Sequence, residues 1–155
     1  MNFLFDAGVQ VLFSENVQAH FSEHRQRKLL AREAGGQLFA RITPGSWEIV
    51  KATGPRKSDW RSRFGFVPSH AEDQKEIRAL FEEGLHYVGD WHTHPETKPT
   101  PSSTDVTSIT RSVATSEHQL VGFLLVIIGT CDPPDGFWVS LHTRDGQQLM
   151  PTYKG

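Results

Sequence analysis

Residues 89–106 read GDWHTHPETKPTPSSTDV, with His92 and His94 at alternate positions, Pro95 directly after them, and Ser102 and Asp105 three apart. The segment 85–93 reads as a strand, and side chains on a strand alternate between faces, so the two imidazoles project together. Pro95, Pro99 and Pro101 stiffen the connection that follows and reduce the entropy lost in ordering it. From Ser102 or Ser103 a helix begins, with Val106, Ile109 and Val113 on one face. Asp105, in its first turn, can bring a carboxylate back to the histidines. Two imidazoles and a carboxylate around one open position are a common way of holding catalytic zinc. Asp90 shares the face of His92 on an ideal strand and is an alternative ligand.

Upstream, Gly8 divides the first residues into two extended pieces, and 9–13 reads as a strand. Ser14 offers an N-cap to a charge-rich helix over residues 15 to about 34, with Val17, Phe21 and Leu29 or Leu30 as its buried points and Gly35-Gly36 as its stop. Segments 37–42 and 47–52 form a hairpin around Thr43-Pro44-Gly45-Ser46. The segment 53–68 is long for a loop in a compact domain and mixes Arg56, Lys57, Arg61 and Arg63 with Trp60, Phe64 and Phe66. Either it docks a protein or single-stranded partner, or its aromatics pack inward while its cations keep it solvated. Ser69 and Glu72 suggest a capping box, followed by an Ile77, Leu80, Phe81 stripe and a stop at Gly84.

Downstream, 120–129 is a continuous apolar run, the pattern of a central strand covered on both faces. Segment 137–142 alternates apolar and polar residues, Asp145-Gly146 marks a tight turn, and 147–153 adds a last strand, placed at an edge by Pro151. The fold class is therefore α+β, a mixed and partly antiparallel sheet packed with helices.

A chain of 155 residues is about one domain long. A net charge of −2 and a pI near 6.4 give no overall signal for nucleic acid or an anionic membrane. No apolar run approaches the roughly 18 residues of a membrane helix, and no signal peptide precedes the first strand, so a cytoplasmic protein is expected. The single cysteine, Cys131, lacks the Pro-Cys-x-x-Cys partner that a zinc deaminase requires. His20, His24, His70, His86, His118 and His142 show no metal spacing and read as structural.

With eight histidines in the chain, a His-x-His pair alone carries little information. The full pattern, His92-x-His94-Pro95, then Ser102 and Asp105, resembles the signature of the JAMM (MPN-plus) metallopeptidases without a gap. Glu33-Ala34-Gly35-Gly36 resembles the family's Glu-x-Gly-Gly segment. The short chain and the Gly-Asp-Trp-His-Thr-His-Pro run look most like the stand-alone bacterial members, some of which accompany ubiquitin-ligase-like proteins in CBASS antiphage systems. The resemblance spans about residues 14–142 and implies one JAMM/MPN-plus domain over 1–155, with a cytidine-deaminase-like architecture. It implies one Zn2+ held by His92, His94 and Asp105, with Glu33 as acid/base and Ser102 as an oxyanion donor. The implied substrate is a protein joined to others through an extended C-terminal tail, such as a CBASS nucleotidyltransferase conjugate, and the docking reading of the 53–68 loop offers a place for it. A metal-free MPN scaffold and a peptidase that processes a small sulfur carrier are the alternatives.

Independent chemistry supports these roles. Amide hydrolysis needs a nucleophile at neutral pH, and zinc lowers the pKa of water from about 15.7 toward 7 while polarising the carbonyl. A carboxylate must then take the proton and return it to the leaving nitrogen.

Overall fold

In the computed structural model, which describes residues 1–155, the chain opens with the hairpin β1 (Asn2–Phe5) and β2 (Val9–Phe13). Ser14 then caps α1 (Glu15–His24) by accepting the Val17 N–H, and the helix buries Val17 and Phe21. This helix is shorter than the sequence suggests. Residues 25–34 have no apolar face to bury, since Leu29 and Leu30 are 77% and 86% exposed. The segment instead turns at Lys28–Ala31, where the Ala31 N–H donates to the Lys28 carbonyl, and the Gln26 side chain donates within the segment to the Ala31 carbonyl and outside it to the Arg63 carbonyl.

Gly35 and Gly36 do not cap a helix; they begin β3 (Gly35–Thr43). A Cβ on Gly36 would lie 1.8 Å from the Thr53 carbonyl oxygen, so glycine is required there by a close backbone approach. β3 pairs with β4 (Ser46–Ala52) in the expected hairpin. Segment 53–68 is also built rather than loose, because it contains a small hairpin of β5 (Trp60–Ser62) and β6 (Gly65–Val67). Arg56 anchors its approach by pairing with Asp73 and Glu76 of α2 (His70–Glu82).

Two expectations for α2 fail, and for a related reason. Ser69 makes no side-chain cap bond, and its N–H donates to Asp59 at 2.9 Å. Of the expected stripe only Leu80 is buried, while Phe81 is 62% exposed. The helix is held to the rest of the chain partly by the ion pairs to Arg56, which replace some of the apolar contact.

β7 (His86–Thr93), α3 (Ser103–Thr115), β8 (Gly122–Ile128) and β9 (Phe137–Thr143) follow, then the short β10 (Gln148–Leu149) and β11 (Thr152–Tyr153). Nine strands form one sheet in the order β10-β9-β8-β7-β3-β4-β2-β1-β11. Pairs β2–β4 and β7–β8 are parallel and the others antiparallel, so the sheet is mixed as expected. The expected last strand is split around Met150 and Pro151. Its halves pair with opposite edges, β10 with β9 and β11 with β1. Two edges bridged by so few residues require a strongly curled sheet.

β8 is buried along its whole length. Leu124, Val126 and Ile128 join the main core with Val17 and Phe21 of α1, while Phe123, Leu125 and Ile127 pack with Ile109 and Val113 of α3. The helices α1 and α3 therefore cover opposite faces of the sheet. Each fully buried Leu, Ile or Phe contributes about 1.5–3 kcal/mol. The polar positions of β9 do not face solvent: Ser140 and His142 are buried on the α3 side. Trp138 Nε1–H donates to Ser140 Oγ, and Ser140 Oγ and His142 Nε2 share a hydrogen bond, at 2.9 Å each. No helix is long and apolar enough to cross a membrane.

Candidate metal centre

The register of β7 against its neighbours assembles the site. His92 stands beside Ile127 of β8, on the face that α3 covers. Gly35 of β3 pairs with His92, so two residues further back Glu33 falls beside His94, although some sixty residues separate them in sequence. α3 enters at Ser102 with a full capping box. The Ser102 hydroxyl accepts the Asp105 N–H at 3.1 Å, and the Asp105 carboxylate accepts the Ser102 N–H at 2.8 Å. That box fixes the Asp105 side chain at the mouth of the helix.

The three expected ligand atoms converge. His92 Nε2 and His94 Nε2 are 3.1 Å apart, and Asp105 Oδ2 lies 3.2 and 3.3 Å from them. Tetrahedral zinc with bonds of about 2.0–2.1 Å spaces its ligand atoms about 3.3 Å apart, so the triangle fits this ion. The donor set agrees. His94 gives its Nδ1–H to Glu96 Oε1 at 2.9 Å, which leaves Nε2 as a lone pair. Glu33 Oε1 stands 3.8 Å from His94 Nε2, outside that triangle but within a water's reach of it.

The carboxylates are driven apart electrostatically. Burial pushes Glu33 up to about 7; His94 opposes this, and Asp105 and Glu96 add to it. Burial also acts to raise Asp105, but hydrogen bonds from His92 and His94 outweigh it and hold the group well below the usual carboxylate range. Burial acts to lower His94, and Asp105, Glu33 and Glu96 together raise it. Two carboxylates with opposed tendencies in one site suit one to be a fixed anion and the other a proton carrier near neutral pH.

All five residues expected at the site, Glu33, His92, His94, Ser102 and Asp105, meet here. Asp90 does not. A bulge opposite Leu38 and Phe39 lets β7 turn at Gly89, whose φ is +151°, and the Tyr87 hydroxyl donates to Asp90 at 2.9 Å. A second group of potential ligands lies elsewhere: His20, Glu23 and His24 on α1 place their donor atoms within 4.8 Å of one another. His20 and His24 stand four apart on that helix, a spacing that puts both imidazoles on one face.

Several supporting residues carry no sequence signal. Glu96 orients His94. The Glu33 backbone is clamped on both sides, its N–H to Ser62 and its carbonyl to Arg61 Nε, each at 2.7 Å. Behind it Thr93 Oγ1 accepts the Ala34 N–H and donates to buried Gln26. The β5–β6 hairpin thus forms one wall beside Glu33. Phe66 packs against Gly35, whereas Trp60, Phe64 and Val67 are 58%, 75% and 54% exposed, so the two readings of the 53–68 segment each describe part of it.

Residues 14–141 match the pattern of a family described as prokaryotic homologs of the JAB domain, and the chain belongs to that family. Similar proteins include a CD-NTase/cGAS isopeptidase of Vibrio cholerae, 30% identical over 87% of this chain and 83% of that one. Another, of the same name, is from Escherichia coli, 27% identical over 84% and 83%. A protein from Desulfitobacterium hafniense solved in solution shares the fold, with a TM-score of 0.66 and 19% identity over 92% of this chain and 89% of its own.

Proposed function

We propose that the chain is a single-domain zinc isopeptidase that hydrolyses the amide joining the C-terminal tail of a CD-NTase-type nucleotidyltransferase to other proteins. The observation that carries this reading is the triangle of His92 Nε2, His94 Nε2 and Asp105 Oδ2, with the Glu33 carboxylate just outside it. The substrate class rests on the names of the relatives. The intact ligand set favours an enzyme over a metal-free scaffold.

His92, His94 and Asp105 would hold the zinc, which when bound supplies Lewis-acid polarisation of the scissile carbonyl and makes water easier to deprotonate. Glu33, pushed up to about 7, accepts the proton of the attacking water and passes it to the departing amine. A nearby dication would draw this group down and favour its basic form at neutral pH. The Ser102 oxygen is occupied as a helix-cap acceptor, but its hydroxyl proton is free to donate to the developing oxyanion. The tail would lie extended beside the β5–β6 hairpin and be added to it as a strand. Exposed Trp60 and Phe64 would flank the tail there.

The test is cleavage of a CD-NTase joined through its C-terminal carboxyl to a lysine amine. Wild-type protein should release it. Glu33→Ala should keep zinc and fold while losing turnover by about 100-fold or more, and His92→Ala should lose the metal. Turnover retained by Glu33→Ala would sink the mechanism.

A further inference from the structure

The run His20-Phe21-Ser22-Glu23-His24 occupies the last turns of α1, away from the triangle described above. Residues three and four apart on a helix share one face, and the donor atoms of His20, Glu23 and His24 lie within 4.8 Å of one another. Helical histidines four apart are a known way to present two ligands to zinc, and Glu23 adds a carboxylate on the same face.

We propose that His20, Glu23 and His24 form a second divalent-cation site, distinct from the His92–His94–Asp105 centre, that takes a metal of intermediate softness such as Zn2+, Ni2+ or Cu2+. Two imidazoles and one carboxylate suit these ions, whereas Mg2+ and Ca2+ prefer all-oxygen sets.

Two features make the group more than a chance surface cluster. First, His20 Nε2 lies 2.7 Å from the Gly54 carbonyl. A carbonyl only accepts, so Nε2 carries the proton and Nδ1 is left as a lone pair, the arrangement in which a backbone carbonyl orients a ligating histidine. Second, both rings are packed rather than free. The ring centroids of His20 and His24 stand 5.3 and 5.9 Å from that of Trp91, which is 1% exposed and fixed by its Nε1–H bond to the Thr53 carbonyl. Less side-chain entropy is then lost on binding.

Arg61 acts against a dication here, while exposed Glu23 offsets that charge and leaves one side open to water. The site is therefore expected to be weaker than the three-ligand centre and to fill after it. Metal here would tie α1 more firmly to the backbone at Gly54, next to the β5–β6 hairpin.

The test is titration of metal-stripped full-length protein with Zn2+ alone, read by competition with a chromophoric chelator. Wild type should bind two equivalents, one tight and one weaker. Glu23→Ala, which alters an exposed side chain, and His24→Ala should each weaken the second by about tenfold or more and leave the first unchanged. His92→Ala should lose the tight equivalent and keep the weaker one, so failure of one site is distinguishable from failure of the other. A wild-type chain without the weaker equivalent, or a weaker equivalent indifferent to both Glu23→Ala and His24→Ala, overturns the proposal. Unchanged melting temperature in Glu23→Ala separates loss of a ligand from loss of fold.

Discussion

Glu96 lies inside the stretch that defines the site, yet its contribution depends on the ring orientation of His94 rather than on spacing. Its carboxylate accepts the Nδ1–H of His94 at 2.9 Å, which sets both the tautomer and the aim of Nε2. Glu96→Ala should therefore weaken zinc binding by about 10–100-fold while leaving the fold intact, because the side chain is half exposed. Chelator competition measures this, and unchanged affinity would reduce the contact to a surface ion pair. Ser102 carries two roles that substitution can separate. Alanine at an N-cap costs about 1 kcal/mol and glycine only a few tenths, whereas either removes the hydroxyl donor. Ser102→Gly should thus lose about 100-fold in kcat with a small change in melting temperature, and Ser102→Ala should lose both. Near-wild-type kcat in Ser102→Gly would confine the residue to capping. His92, His94, Ser102 and Asp105 were legible because they fall within fourteen residues in a fixed pattern. Glu33 was legible only through family resemblance, since its place beside His94 is set by the β3–β7 register.

At the level of elements, the misread segments share a cause. Residues 25–34 are good helix formers, but helix propensity is a weak preference that tertiary bonds override. The clamps from Ser62, Arg61 and Thr93 hold the end of this segment, Glu33 and Ala34, in line with β3, and that placement delivers Glu33. The β5–β6 hairpin is three residues a strand and too short to show periodicity. β9 showed the right alternation but hid what covers its polar face, namely α3. His142 is buried there, and burial lowers its pKa from the ordinary histidine value. The unfolded chain therefore binds this proton more readily than the native one. The stability linked to this group is present above about pH 6.5 and is lost as pH falls through the depressed native value. His142→Gln keeps both a donor and an acceptor within reach of the Ser140 hydroxyl but cannot titrate. Its fall in melting temperature between pH 7 and pH 5 should be smaller than in wild type. Equal falls would show that His142 does not contribute to acid sensitivity.

Across the whole molecule, the alternation of strands and helices and the buried β8 were readable from apolar pattern, whereas the curl of the sheet was not. Curl depends on β10 and β11 reaching opposite edges, and two-residue strands leave no signature of their partners. Nineteen apolar residues form the main core and five the smaller one, so both faces of the sheet carry apolar packing that needs no metal, although Glu33, His92 and His94 are themselves buried beside it. Folding is therefore driven by apolar burial on both faces of the sheet, and metal adds to it only by binding the native state. This differs from small zinc domains, in which the metal supplies the folding free energy. Chelation with EDTA should accordingly leave the far-UV circular dichroism at 25 °C unchanged. It should lower the melting temperature by several degrees, since saturation at 100-fold over Kd is worth about 2.7 kcal/mol. His92→Ala should melt near the chelated wild type and respond much less to EDTA. Collapse of the secondary structure on chelation would mean that the centre organises the fold, contrary to the position of the two cores.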